Sequence, residues 1–198
     1  MDGDQIKVIE QLRKAEIEQS DRWINYWHDY SNISTWQFWV VLAMFLLPLV
    51  LLILFIDRRK MFQLGFYGYS VHVFFAIIDS FGVLRGLWTY PYKMLPSLPA
   101  SVALDSSFVP VAYILLYQYT INKEKNYYIW MLLLCVAFAF FVKPLMVGFG
   151  LFRFGGNENF LMLFWGYVAV GLIAKWISDV FGVLLKTKKW SFYHKYFK

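Results

Sequence analysis

The sequence predicts an all-α integral membrane protein, a bundle of five transmembrane helices preceded by an N-terminal amphipathic helix. Hydrophobic residues make up 60% of its 198 positions and charged residues only 16%, a balance foreign to soluble domains. Five apolar segments each run to roughly 20 residues, the length that crosses a hydrocarbon core of ~30 Å. Lysine and arginine alternate between the connecting loops, ten on one set and three on the other, as the positive-inside rule requires of a chain that crosses repeatedly.

Residues 1–35 are polar and acidic, unlike a cleavable signal peptide. Ile6, Ile9, Leu12, Ile17, Ile24 and Trp27 recur there at helical spacing among charges, which suits a helix lying on the membrane surface or on the bundle. Seven acids against four bases in that helix weaken any attraction to anionic lipid.

Residues 36–185 form the membrane domain. The first span is Trp36–Ile56, interrupted only by Pro48, which should bend it and leave a carbonyl for a neighbouring helix to satisfy. It stops at Asp57-Arg58-Arg59-Lys60 and the second span, Phe62–Leu84, follows at once. Trp88, Tyr90 and Tyr92 then read as an interfacial belt, and Pro91, Pro96 and Pro99 keep this cap from being helical. The third span is Ala100–Ile121, with Asp105 near its start and Pro110 within it. A polar turn at 122–126 leads to the fourth, Tyr127–Val147, which carries Lys143-Pro144 near its end. The glycine-containing loop 148–159 precedes the fifth span, Phe160–Leu185, and residues 186–198 are a basic tail. Five crossings put the tail in the cytoplasm and the N-terminus outside.

The second span carries the wrong residues for lipid. Gly65, Gly68, His72, Phe75, Asp79, Gly82 and Gly86 follow one another in steps of three and four, so they share a helical stripe. Small residues let helix backbones approach, and ionisable ones in a membrane face protein or water. A central Asp costs about 2.5–3.5 kcal/mol against ~0.3–0.6 returned by each large apolar side chain, so this helix depends on neighbours while the first span is peripheral. Asp79, Arg85, Asp105 and Lys143 all fall in the outer half of the bundle, with His72 deeper. They are the candidate binding residues, open to the outside. Each also has a plainer reading. Arg85 and Lys143 can snorkel, Asp105 can cap its helix, and Asp79 can bridge directly to Lys143 or Arg85. Lys175 and Asp179, one turn apart, form a secondary intramembrane pair that neutralises itself on insertion. DSFGVL (79–84) and DVFGVL (179–184) match at five of six positions, a short match of common membrane residues.

Several functions have no support. The sequence lacks the HExxH, GxSxG, Walker and paired-cysteine patterns, so no catalytic residue, metal or cofactor is assigned. The lone Cys135 reads as an apolar filler. The net charge of +6 lies beside the spans, which argues for topology and against nucleic acid. His28 and His194 lie outside the spans and read as interfacial.

The stretch GLWTYPYKMLPSLP, followed by Asp105, Pro110 and short basic turns, resembles a family of uncharacterised small multi-pass membrane proteins from spore-forming Gram-positive bacteria. The resemblance covers 36–186 and implies a helical protein of the cell membrane without an assigned activity. Two functions are therefore expected: binding or transport of a small polar solute or ion through the charged pocket, or a non-catalytic interaction or assembly role in the spore or cell envelope. The partners are the lipid bilayer and either a second copy or another membrane protein.

Overall fold

A computed structural model describes residues 2–186. The basic tail from 187 onward, His194 included, lies outside the described residues. Helices make up most of the described chain, with an irregular cap and two short strands between them. Helix α1 (Gly3–Tyr26) continues into a π turn at Trp27–Ser31, and α2 (Trp36–Phe55) is connected to α3 (Met61–Leu84) by loop 57–60. A two-residue strand β1 (Trp88–Thr89) and an irregular cap follow, then a π turn at Leu104–Phe108 leading into α4 (Val109–Asn122). Helix α5 (Tyr127–Ala137), a π turn at Phe138–Val142 and α6 (Lys143–Gly148) make one continuous rod. Strand β2 (Arg153–Phe154) and α7 (Phe160–Lys186) complete it.

Among the described residues, four helices are long and apolar enough to cross a membrane: Trp36–Phe55, Met61–Leu84, Tyr127–Gly148 and Phe160–Leu185. They coincide with the first, second, fourth and fifth expected spans. The third expected span is helical too, but it is more polar and does not qualify as apolar enough. The reason lies in its surroundings. Val109, Pro110, Val111, Tyr113, Ile114, Tyr117 and Thr120 of α4 are buried, and α4 packs against α2, α3 and α5. A helix wrapped in other helices can carry tyrosines, serines and an aspartate because it meets protein rather than lipid. Helix α2 is the opposite case, with only Val41 and Pro48 buried.

The prolines bend the rods in a specific way. Proline has no N–H and crowds the carbonyl four residues back, so the preceding turn is free to widen. Just before Pro110, Val109 N–H reaches five residues back to Leu104 O. Just before Pro144, Lys143 N–H reaches back to Phe138 O. On α2 the loosened turn ahead of Pro48 takes help from the π turn before α4, where the Ser107 hydroxyl donates to the Phe45 carbonyl. That carbonyl lies one residue beyond the one Pro48 itself leaves without a helical donor.

Buried tyrosines replace the usual aliphatic centre. The Tyr67 hydroxyl lies 2.7 Å from that of Tyr127, which donates to Gly171 O at 2.9 Å, and Tyr113 donates to Tyr167 O at 2.8 Å. Each ring fills volume while its hydroxyl finds an acceptor, so helices are joined at fixed points. Gly68 is where Ile114 of α4 closes on α3, and Gly82 is where the Trp88 ring lies on the helix; a Cβ at either would collide with that side chain. Gly65 and Gly86, on the same expected stripe, are open.

At one end, loop 57–60 is tied to the end of α4. Gln118 donates to Phe55 O at 2.8 Å and accepts from Asp57 N at 2.7 Å, and Lys60 donates to Asn122 Oδ1 at 2.6 Å. At the other end, β1 and β2 pair antiparallel, Trp88 opposite Phe154 and Thr89 opposite Arg153. Gly155 then donates to Leu87 O at 2.8 Å. A Cβ on Gly155 would strike the Gly86 carbonyl. Gly155→Ala is therefore expected to lower unfolding stability by about 1–3 kcal/mol and to raise hydrogen exchange in 87–90. Gly156→Ala, where only a flexible carboxylate stands nearby, is the control with little effect.

Candidate functional site

The site starts from one buried acid. Asp79, on the last turns of α3, is 3% exposed. Its Oδ1 accepts from Trp88 Nε1 at 2.9 Å and from the Tyr90 hydroxyl at 2.7 Å, and its Oδ2 faces Ser101 N at 3.4 Å. Trp88 and Tyr90 are two residues apart on extended backbone, so both side chains point down onto the same carboxylate. The cap is thereby pinned to the bundle from above.

Lys143, at the foot of the second proline-associated π turn, is 2% exposed. Its Nζ donates to the Tyr90 hydroxyl at 3.0 Å and sits 3.9 Å from the centre of the Phe152 ring. Acid and base are thus joined through a phenol. Burial, then the nearby Asp79 charge, holds the Tyr90 hydroxyl well above its ordinary 10, so it stays protonated, donating to Asp79 and accepting from Lys143. The direct Asp79–Lys143 bridge expected from sequence does not occur; the Tyr90 oxygen occupies that place.

A cavity of about 110 Å³ lies between α3 and α7 beneath Trp88. Asp79 and Lys143 are its charged groups, and Phe75, Ile78, Leu163 and Tyr167 supply apolar walls. Gly166 leaves one wall open, with no atom near the place a Cβ would take.

The other expected residues stand outside this hydrogen-bonded cluster, although Asp105 is near enough for its charge to act on Tyr90 and Lys143. Asp105 is buried within the first bundle π turn, and its Oδ1 has no hydrogen-bond partner among the described residues. It caps no helix, since its side chain accepts no backbone N–H there. His72 does not sit under the cavity; it is half-buried, and its Nδ1 donates to the Asp105 carbonyl at 2.7 Å. Arg85 leaves the cluster altogether. The helix ends at Leu84, so its guanidinium swings out over the exposed Phe81 ring at 5.6 Å. Lys175 and Asp179 form the expected pair on α7, toward the end of the bundle that carries loop 57–60. The DSFGVL and DVFGVL copies therefore differ: Asp79 is sealed under the cap, whereas the Asp179 side chain is 48% exposed. Cys135 is buried, and among the described residues no set of three His, Cys, Asp or Glu side chains could hold a metal.

Trp88, Tyr90, Ser101 and Phe152 complete the site and were not expected there. The alternation of Trp88 and Tyr90 was a usable signal, but aromatics beside an apolar run equally suggest an interfacial belt.

Helix α1 docks on this cap through one lysine. Trp27 Nε1 donates to Lys93 O at 2.9 Å, Lys93 N donates to the Ser31 hydroxyl at 3.1 Å, and Lys93 Nζ lies 3.9 Å from the Trp23 ring centre. The ammonium also donates to Leu98 O at 3.0 Å. Upstream, no residue of α1 is buried.

No family model, curated protein or solved structure matches the chain.

Two outcomes follow from this geometry. Tyr90→Phe leaves Lys143 without its acceptor and Asp79 without one donor, so it should lower stability by about 2–4 kcal/mol in denaturant unfolding. Tyr90→Phe with Lys143→Met should recover part of that loss, because the stranded charge is gone. Burial, partly offset by Asp79, lowers the Lys93 ammonium from 10.5 to about 8. Between those pH values the unfolded chain holds a proton that the folded chain has lost, so stability should rise from about 8 to 10.5 and its penalty be full below 8. Melting points measured against pH should show this rise, and Lys93→Met should remove it.

Proposed function

We propose that this is a five-span membrane protein, with cap and N-terminus outside and C-terminus in the cytoplasm, that binds a small polar solute or ion beneath the cap. The crossing number draws support from the path of 102–122, which leaves the cap beside Asp79 and ends beside Lys60 at the opposite end. The orientation rests on the charge asymmetry of the loops.

One observation carries the binding reading: Lys143 faces the cavity with three ammonium hydrogens and, among the described residues, a single hydrogen-bond acceptor, the Tyr90 hydroxyl. Buried ammonium groups normally fill that capacity. The cavity of about 110 Å³ has room for three or four waters at roughly 30 Å³ each, or for a solute of a few heavy atoms. Lys143 follows directly on one π turn and the buried Asp105 lies within another, and π turns recur at functional sites in helices.

The test is melting of the purified protein against sodium, potassium, ammonium, acetate and formate salts at matched ionic strength. At least one should raise the wild-type midpoint by several degrees at saturation, and Gly166→Trp, which fills the cavity, should abolish the shift. Equal responses to every salt in both proteins would defeat the reading. The interaction or assembly role remains the second reading, favoured by α1, whose Val8, Ile9 and Leu12 are exposed on the face that downstream carries Trp23. Under it, Gly166→Trp changes no salt response, while truncation of exposed side chains on α1 loses the partner.

A further inference from the structure

A second recess lies at the other end of α3, roughly 24 Å from Asp79 at 1.5 Å per residue. It is the larger one, about 670 Å³, between the first turn of α3 and the last turns of α7. Phe62, Phe66 and Phe181 form its apolar surface, with the last two rings 4.9 Å apart. Gln63, Ser178 and Asp179 form its polar edge. Ser178 is 8% exposed, and its hydroxyl has no hydrogen-bond partner among the described residues. A serine in a helix ordinarily bonds back to its own backbone or points to water. This one does neither, and it lines the recess.

The charge around the recess has a definite sign. Asp179 is already neutralised by Lys175. Loop 57–60 holds three cations and one acid, and that acid is occupied by Arg59 N and the Asn122 amide. Arg58 and Arg59 are exposed beside the start of α3, whose N-cap residue Lys60 supplies no side-chain cap. The first N–H groups of that helix add partial positive charge. An apolar trough beside a cationic helix end, with an unmet hydroxyl between them, matches the three zones of a lipid: acyl chain, anionic head and glycerol ester.

We propose that this recess is a site for one anionic phospholipid. Its phosphate lies toward loop 57–60, its ester oxygens meet Gln63 and Ser178, and its chains run over the three phenylalanines. The site stands apart from the Asp79–Lys143 cavity and does not depend on the function proposed for it.

The full chain, reconstituted in phosphatidylcholine nanodiscs with or without an equal part of phosphatidylglycerol, provides the test. Native mass spectrometry after detergent extraction reads the lipid retained. Wild type is expected to retain one phosphatidylglycerol in preference to phosphatidylcholine. Arg58→Gln with Arg59→Gln should cut that preference by about thirtyfold, at about 1 kcal/mol per surface cation. Gly182 lines the recess with no atom near its Cβ position. Gly182→Trp should therefore abolish retention while leaving the melting point of the cap unchanged, and Gly182→Leu serves if the larger plug lowers it. Equal retention of the two lipids by wild type overturns the proposal. So does phosphatidylglycerol retained undiminished by both plugged variants, which would assign the preference to diffuse surface charge.

Discussion

The structure depends on a carboxylate buried beneath its own cap. Asp79 sits at the cap end of α3 with its oxygens facing donors from Trp88, Tyr90 and Ser101. A buried carboxylate without donors would cost several kcal/mol, so the cap is the condition on which that helix holds its acid. The dependence runs both ways. The cap is irregular and interrupted by prolines; a two-residue ladder, the Gly155–Leu87 and Lys143–Tyr90 hydrogen bonds and the α1 contacts hold its edges, and Asp79 ties its centre to the bundle. Lys143 joins the same arrangement through Tyr90, with Phe152 as a second cushion for its charge.

The same logic recurs through the bundle. Helices in lipid gain little from burying apolar surface against one another, so packing and internal hydrogen bonds hold them together. Here tyrosines supply both. Tyr67, Tyr113 and Tyr127 fill the centre and send hydroxyls to neighbouring groups on other helices. Within the bundle, glycines stand where a large side chain presses on a helix: Gly68 against Ile114, Gly82 against Trp88 and Gly171 against Tyr113 and Met131. These contacts set the helices close enough for the phenols to meet their acceptors.

Proline positions decide where function can be built. Each of the two π turns in the bundle lies just before a proline, and each places a charged residue at the widened turn, Asp105 in one and Lys143 after the other. A π turn rotates everything beyond it relative to a regular helix. That rotation brings Lys143 into the bundle, where snorkelling to water is the cheaper course for an unaided lysine near a helix end.

What the sequence determined by itself was set by chemistry that acts locally. Four apolar helices, the polar N-terminal helix, the non-helical proline-rich cap, the peripheral first span and the inward face of α3 near Asp79 all follow from composition, spacing and the missing proline N–H. What only the tertiary structure decided was which groups share a hydrogen bond. Tyr90 stands between Asp79 and Lys143, Arg85 points away, His72 meets a backbone carbonyl, and Trp88 lies under the cap instead of at a lipid interface. Those outcomes depend on where a helix stops, on a one-residue widening before a proline and on a strand that turns two aromatics downward. Each is a matter of angle between distant segments, and linear spacing records angle only along an unbroken helix.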